Sequence, residues 1–285
     1  MVRPSLLSWS LAFLAALGAR TASADPITLT GLVEKDFDPA NPSVRISPVG
    51  ADPAHIGQAS WMTQRGWVSG FSIKDIRSSY DEASDVLFVG VNTFGIAGDA
   101  DGNGDPGGAD PLTTSSGGID PPFMGADKSI AVAFAPNGPP GSGTFGTPVV
   151  VAGIPANKAT AGPGLNGFSV ARYLNANAGL SRNFGESLPD HQGVLAFQPS
   201  ADHPDFEFTI RNFSKIPGID PTQGFWMAAY AGSVKDVVVG EDALQWTRIP
   251  RFSPQGVPEP TTILGWSVMA CGAAWCFRRR RGSRM

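Results

Sequence analysis

The chain has little cysteine and little positive charge, and each shortage excludes a class of protein. Its 2 cysteines, Cys271 and Cys276, both lie close to the C-terminus. The long region before them therefore has no disulfide and must rely on its hydrophobic core, or on bound metal, for stability. The 21 Lys and Arg are outnumbered by 25 Asp and Glu, which gives a formal net charge of −4. This balance argues against nucleic acid as a partner, because Lys and Arg supply much of the affinity for phosphate backbones.

Motifs of common enzymes are also missing. The 3 histidines, His55, His191 and His203, are scattered and form no HExxH pair. Asp190 beside His191 and Asp202 beside His203 could each be half of a catalytic or zinc site, but no Gly-x-Ser-x-Gly turn or activated cysteine accompanies them. We therefore expect surface histidines and no enzyme activity, although the paired carboxylates of a glycosidase could still meet in space.

Glycine and proline are abundant, with 35 and 25 residues, and they separate short apolar runs. This pattern is typical of a protein made of many strands and turns. No window shows an amphipathic helix of three turns. We expect an all-β body over residues 25–250, an antiparallel β-sandwich or jelly roll, followed by a linker over 251–256. The predicted strands are 27–33, 43–46, 71–76, 85–91, 129–134, 148–152, 167–174, 193–197, 206–210, 225–230, 237–239 and 244–249.

Two of these predictions are specific about pairing and burial. Residues 71–76 and 85–91 are expected to form a hairpin joined through 78–84, and residues 86–91 are apolar on both faces, which predicts a central, buried strand. Near residue 206, phenylalanine and isoleucine alternate with Glu207 and Thr209, which predicts a half-exposed strand.

A long segment, 95–127, interrupts the strands with Gly, Asp, Pro and Ser. Such a loop is uncommon in a compact domain unless it is functional or disordered. From Asp99 it reads DADGNGD, with side-chain oxygens at loop positions 1, 3 and 5, glycine at 6, a carbonyl at 7 and a carboxylate at 12. Ca²⁺ takes about six to eight oxygen ligands, and this spacing is typical of calcium loops. The predicted ligands are Asp99, Asp101, Asn103, Asp105 and Asp110.

The first half of this motif resembles the calcium loops of dockerins, thrombospondin type 3 repeats and EF-hands. The second half departs from them, because Asp110 replaces a glutamate, Pro106 follows at once and no exit helix is predicted. Residues 78–127 contain acidic side chains and neither Lys nor Arg, so the segment repels itself unless a cation is bound. We expect an isolated calcium loop in a β domain. The alternative is a solvated acidic turn without an ion.

The N-terminus has the pattern of an export signal. Arg3 precedes an apolar run over 6–17, and the small residues Ala22, Ser23 and Ala24 follow. This order predicts a secretory signal peptide over residues 1–24, handled by the Sec translocon and cut by signal peptidase after Ala24. An uncleaved anchor is the alternative, but the run is short for a membrane span.

The C-terminus has three consecutive parts. Val257, Pro258, Glu259 and Pro260 come first, and the prolines favour an extended chain. The uncharged segment 261–277 reaches about 26 Å as a helix, which predicts one transmembrane helix through the inner membrane. Four arginines follow, and the positive-inside rule keeps them cytoplasmic and places the body on the other side. They are Arg278, Arg279, Arg280 and Arg281.

Together these parts resemble the PEP-CTERM sorting signal of Gram-negative, exopolysaccharide-producing bacteria, over residues 257–281. The resemblance implies that an exosortase, an integral membrane cysteine protease, recognises Pro258-Glu259-Pro260, cuts there and releases the body to the exterior. The alternative is a C-terminal anchor that is never cut.

Two functions remain open for the body. The first is a non-enzymatic extracellular or cell-surface protein, stiffened by Ca²⁺, with a structural or adhesive role in the envelope or polysaccharide matrix. The second is a carbohydrate-binding or carbohydrate-hydrolysing protein with polysaccharide as its partner. Trp61, Trp67, Trp226 and Trp246 could stack on sugar rings, but we expect them mainly in core packing.

Overall fold

The computed structural model describes residues 27–50, 59–106, 128–139, 141–156, 167–174, 179–233 and 241–252, all within one compact unit, Asp25–Ser253. The strands of the described part are β1 (Arg45–Pro48), β2 (Ile73–Asp81), β3 (Val86–Thr93), β4 (Lys128–Ala135), β5 (Val150–Ile154), β6 (Ser169–Tyr173), β7 (Phe184–Ser187), β8 (Gln192–Leu195), β9 (Phe206–Arg211), β10 (Phe225–Ser233) and β11 (Glu241–Ile249). Short helices occur at Val33–Asp36 and Ser60–Arg65, with 3₁₀ turns at Leu180–Arg182, Pro189–His191 and Phe213–Lys215.

These strands form two antiparallel sheets. The five-stranded sheet has the order β1-β2-β3-β9-β8, and the six-stranded sheet has the order β11-β10-β4-β5-β6-β7. Ile76 and Val89 of the first sheet and Val132 and Phe134 of the second belong to one buried cluster, so the main core lies between the sheets. The predicted all-β class is confirmed.

The position of β3 at the centre of its sheet explains why its sequence is apolar on both faces. Leu87 and Val89 face the main core and are fully buried. Phe88 and Gly90 lie on the opposite face, which the chain's N-terminal segment covers. Since both faces are covered, apolar side chains are favoured at every position. The predicted burial of this strand is confirmed, and it pairs with β2 and β9.

Residues 27–38, here called the N-terminal arm, lie on that outer face. Val33 and Phe37 pack so closely on Gly90 that a Cβ there would lie 2.7 Å from Val33 and 2.9 Å from Phe37. Arg77 on the same face donates from Nη1 to the Phe37 carbonyl oxygen at 2.9 Å. The predicted strand 27–33 is therefore wrong, since the segment is irregular before its helix.

The arm cannot join a ladder because of its backbone conformation and its hydrogen bonds. Gly31 has φ +80°, outside the strand region. The N–H groups of Gly31 and Val33 donate to the carboxylates of Glu207 and Asp205 and not to a neighbouring strand. An alternating apolar sequence thus occurs here in a segment that packs on the outer face of a sheet and does not join it.

Two other predictions need correction. Strand β2 continues through the predicted link 78–84 to Asp81, and the turn occupies residues 82–85, where Asp85 accepts a hydrogen bond from Tyr80 Oη at 2.8 Å. Glu207 and Thr209 are 0% and 7% exposed, so β9 is not half-exposed. Strand β7 was not predicted, and the predicted strand 237–239 lies outside the described residues.

The described chain ends at an aromatic contact in the core. Phe252 is 5% exposed, and its ring centroid lies 6.0 Å from that of Tyr80 and 6.1 Å from that of Phe225. Its N–H donates to the Pro221 carbonyl oxygen at 3.1 Å. These contacts hold the last described residue in the core.

Candidate functional site

The acidic loop, which the structure describes over residues 95–106, follows β3 and packs against the segment before β2. Gly70 N–H donates to the Asp99 carbonyl oxygen at 2.7 Å. Gly102 has φ +71°, and a Cβ there would lie 2.6 Å from the Val68 carbonyl oxygen. Both the conformation and the close approach require glycine at this position. The loop backbone is therefore held against the segment that contains Val68 and Gly70.

Asp99 organises the loop through its side chain. Its Oδ1 accepts a hydrogen bond from Gly102 N–H at 2.9 Å, and its Oδ2 accepts one from Gly104 N–H at 2.7 Å. Asp99 is 1% exposed and Asp101 is fully buried. Burial raises the pKa of Asp99 to about 6, and the nearby Asp101 adds to the rise while the two glycine N–H groups oppose it. The loop therefore concentrates negative charge in a buried place.

The following residues continue the curl toward solvent. Asn103 N–H donates to Asp101 Oδ1 at 3.1 Å, and the Asn103 amide donates to Asp101 Oδ2 at 3.3 Å. Asp105 N–H donates to Asn103 Oδ1 at 2.7 Å, and Asp105 is exposed. Successive aspartate and asparagine side chains thus bind the backbone two residues further on, which is how such residues form tight turns.

Of the five predicted ligands, the structure places Asp99, Asp101, Asn103 and Asp105 on this curl, and Asp110 lies outside the described residues. Within the ranges that the structure describes, no three His, Cys, Asp or Glu side chains are grouped closely enough to hold a metal ion. The donors fit calcium in kind, because they are carboxylate and amide oxygens. A full calcium shell would also need backbone carbonyl oxygens or Asp110.

A buried lysine at the end of the loop was not predicted. Lys128, the first residue of β4, is 0% exposed and donates from Nζ to the Pro106 carbonyl oxygen at 3.1 Å. It follows directly after residues 78–127, the stretch without Lys or Arg. Its ammonium group therefore holds the last described residue of the loop, Pro106, against the start of β4.

The tryptophans divide between two places. Trp61 and Trp67 meet edge to face at 6.3 Å and pack against the main core. Trp226 and Trp246 flank Phe145 on the six-stranded sheet, with centroid distances of 5.9 and 4.8 Å. Phe145 is 39% exposed and stacks on Trp246 at 23°. The second group leaves an aromatic surface in contact with solvent.

Both described histidines bind backbone carbonyl oxygens through Nδ1. His191 bonds to the Arg211 carbonyl at 3.1 Å, and His203 bonds to the Thr30 carbonyl at 2.7 Å. His203 also stacks on Phe197 at 4.1 Å and is only half-buried. These contacts give the two rings structural partners, while His55 lies outside the described residues.

The predicted signal peptide, the 257–260 motif and the arginines 278–281 also lie outside the described residues. Among the helices that the structure does describe, none has the length and apolar character needed to cross a membrane. No family model, curated protein or solved structure matches this chain.

Proposed function

We propose that the chain is an exported, exosortase-sorted protein of the cell exterior or surface, with a structural or adhesive role in the envelope or exopolysaccharide matrix. The observation that carries this proposal is the order of the C-terminal parts, from the 257–260 motif through the apolar segment 261–277 to four arginines. The signal-peptide pattern over residues 1–24 supports it independently. A β-sandwich body suits this role, because its two sheets enclose a core that needs no disulfide.

Intact mass of the protein from the native host tests the export part of the proposal. We expect an N-terminus at Asp25 and a C-terminus within residues 257–260. A cytosolic protein with both ends intact would contradict it. A product that keeps residues 261–277 in the membrane would favour the uncut anchor.

Calcium binding at the acidic loop is the second part of the proposal. Two buried carboxylates, Asp99 and Asp101, lie close enough for the charge of one to raise the pKa of the other. Asn103 and Asp105 follow on the same curl and supply further oxygen atoms. A divalent cation would remove the repulsion and use ligands of the kind that Ca²⁺ prefers.

Thermal unfolding in EDTA and in millimolar calcium tests this binding. Calcium at about 100 times its dissociation constant stabilises by about 2.7 kcal/mol, which raises Tm by about 5–10 °C for a domain of this size. Asp99→Asn should abolish most of the rise, whereas Asp202→Asn, at an exposed aspartate, should keep it. Equal melting temperatures of the unmodified protein in both buffers would contradict calcium binding at the loop.

The aromatic surface favours a second candidate function, carbohydrate binding. Phe145 presents an exposed ring supported by Trp226 and Trp246, and flat apolar rings suit the C–H face of a sugar. Retention on polysaccharide arrays should fall for Phe145→Ala and persist for Leu174→Ala, which removes another exposed hydrophobic residue. Equal retention of both variants, or none for the unmodified protein, would remove this candidate. Release of reducing sugar would instead indicate a hydrolase.

A further inference from the structure

The N-terminal arm is fastened to the start of β9 by carboxylates. Gly31 N–H donates to Glu207 Oε2 at 2.6 Å, and Val33 N–H donates to Asp205 Oδ2 at 2.8 Å. In return, Asp205 N–H donates to the Gly31 carbonyl oxygen at 3.1 Å. Glu207 is 0% exposed and Asp205 is 6% exposed, so these bonds are shielded from water. The arm therefore depends on two buried acids.

One oxygen of Glu207 lacks a donor. Glu207 Oε1 is buried and has no hydrogen-bond partner among the described residues. The Asp36 carboxyl of the arm lies within hydrogen-bonding reach of the Glu207 carboxyl. Asp36 itself accepts hydrogen bonds from the backbone N–H and the hydroxyl of Thr30, the latter at 2.9 Å. Two carboxyl groups thus lie within hydrogen-bonding reach of each other, and one of them has a buried oxygen without a donor among the described residues.

A single proton resolves this arrangement. Two ionised carboxylates in contact at a buried site repel each other, whereas a protonated carboxyl donates to a carboxylate. Burial raises the pKa of Glu207 to about 8, opposed by the Gly31 N–H, and the charges of Asp36 and Asp205 add to the rise. A protonated Glu207 can accept from Gly31 N–H and donate to Asp36 at the same time.

We propose that Glu207 carries a proton in the folded protein and that this proton latches the N-terminal arm onto the outer face of the five-stranded sheet. Loss of the proton leaves two negative carboxyls in contact beneath the arm and weakens its docking. The released arm uncovers Phe88 and Gly90, the part of β3 that Val33 and Phe37 otherwise cover. The latch thus links pH to exposure of an apolar sheet face.

The other charged groups around the arm are paired in other ways. Lys74 of β2 forms an ion pair with Glu34 of the arm, and Arg77 forms one with Asp75 at 2.8 Å. His203 bonds to an arm carbonyl oxygen at 2.7 Å. Glu207 differs from these residues because one of its buried oxygens lacks a donor among the described residues and its carboxyl group lies within reach of another acid.

The direction of the pH effect follows from linkage. The pKa of Glu207 is raised in the docked state, so docking is strongest below the ordinary glutamate pKa and weakens as pH rises toward about 8. Above about pH 8 the effect levels off, because the carboxyl is ionised in both states. Between pH 7 and 9 the docking equilibrium should fall about tenfold, mostly below pH 8. This range lies above the pKa of Asp205, which burial raises to about 6.

Tryptic cleavage after Lys35 of the purified full chain measures arm opening, because Lys35 is an exposed residue within the arm's helix. The rate is followed by mass spectrometry and divided by that of a free peptide of the same sequence at each pH. For the unmodified protein we expect this ratio to rise about tenfold from pH 7 to 9. A ratio that stays constant over this range would overturn the latch.

Glu207→Gln provides the matched variant. Its amide oxygen accepts from Gly31 N–H and its amide nitrogen donates to Asp36, so the arm stays latched without a titrating group. We expect a cleavage ratio independent of pH in Glu207→Gln. The control Glu186→Gln, at an exposed glutamate of β7, should behave like the unmodified protein. The same tenfold rise in Glu207→Gln would assign the pH effect to another group and refute the proposal.

Discussion

Two adjacent serines of β2 should respond to the same substitution with opposite sign. Ser78 is fully buried, and its hydroxyl has no hydrogen-bond partner among the described residues. Ser79 points to the other face, where its hydroxyl meets that of Ser43 at 2.9 Å. Both serines occupy ladder positions, Ser78 opposite Val89 and Ser79 opposite Phe88. The two substitutions therefore compare a buried hydroxyl without a partner with a bonded one, in the same strand backbone.

The magnitudes follow from the contacts of each hydroxyl. Burial of an unsatisfied hydroxyl costs about 1–3 kcal/mol, and Ser78→Ala removes this cost. The cavity left by one oxygen atom lowers the stability by only about 0.3 kcal/mol. We expect a net stabilisation of about 1–2 kcal/mol, or about 2–8 °C in Tm. Ser79→Ala loses a satisfied hydrogen bond and should destabilise by about 0.5–1.5 kcal/mol.

Urea unfolding of the two variants and the unmodified protein checks these signs. Both variants should keep the unmodified protein's m-value, because the surface exposed on unfolding is unchanged. A Ser78→Ala variant that is destabilised by about 1 kcal/mol or more would show that its hydroxyl makes a favourable bond in the folded state. Destabilisation of both variants by the same amount would likewise refute the reasoning.

Two further substitutions test the arm and the end of the described chain. Gly90→Ala places a methyl group against Val33 and Phe37, so it should lower the free energy of unfolding by about 1–3 kcal/mol. It should also speed tryptic cleavage after Lys35 at every pH. Unchanged cleavage would show that the arm is not packed on β3. Phe252→Ala removes a ring packed on Tyr80 and Phe225 and should cost about 3–5 kcal/mol in urea unfolding, and a loss below about 1 kcal/mol would contradict the burial of that ring.

Much of the sheet structure could be predicted because strand patterns are local. The runs 129–134 and 244–249 lie within β4 and β11, and the apolar run 86–91 lies within β3. Each run is bounded by turn residues or carries a period of two, which a single sequence shows directly. The pairing order of the two sheets is not local, and the strand pattern does not contain it.

The conformation of the arm and the exposure of β9 were mispredicted for one shared reason. The alternation in 27–33 fits a strand, but Gly31 has φ +80° and the arm's N–H groups bond to Glu207 and Asp205, which are far away in sequence. Conversely, the alternation in 206–210 predicts exposed polar side chains, but the arm bonds to Glu207 and Val194 of β8 bonds to Thr209. Burial by a distant segment cannot be read from a local period of two.

The acidic loop was predictable in part. Asp99 and Gly104 have the spacing that a tight curl requires, and the structure joins them by a hydrogen bond of 2.7 Å. The degree of burial of Asp99 and Asp101 depends on packing against Val68 and Gly70, which the motif does not contain. The burial of Lys128 and its bond to the Pro106 carbonyl oxygen were not predicted, because they depend on how the loop packs at the start of β4.

The position of Phe252 has a mechanical consequence. The ring lies in the core, and its N–H is bonded to the carbonyl oxygen of Pro221, so tension on the chain beyond this residue acts on the core first. The pull must extract an aromatic side chain before it can unzip β11 from β10 one hydrogen bond at a time. If the domain is pulled from this end, the unfolding force should therefore depend on the packing of an aromatic ring and not only on the hydrogen bonds of one edge strand.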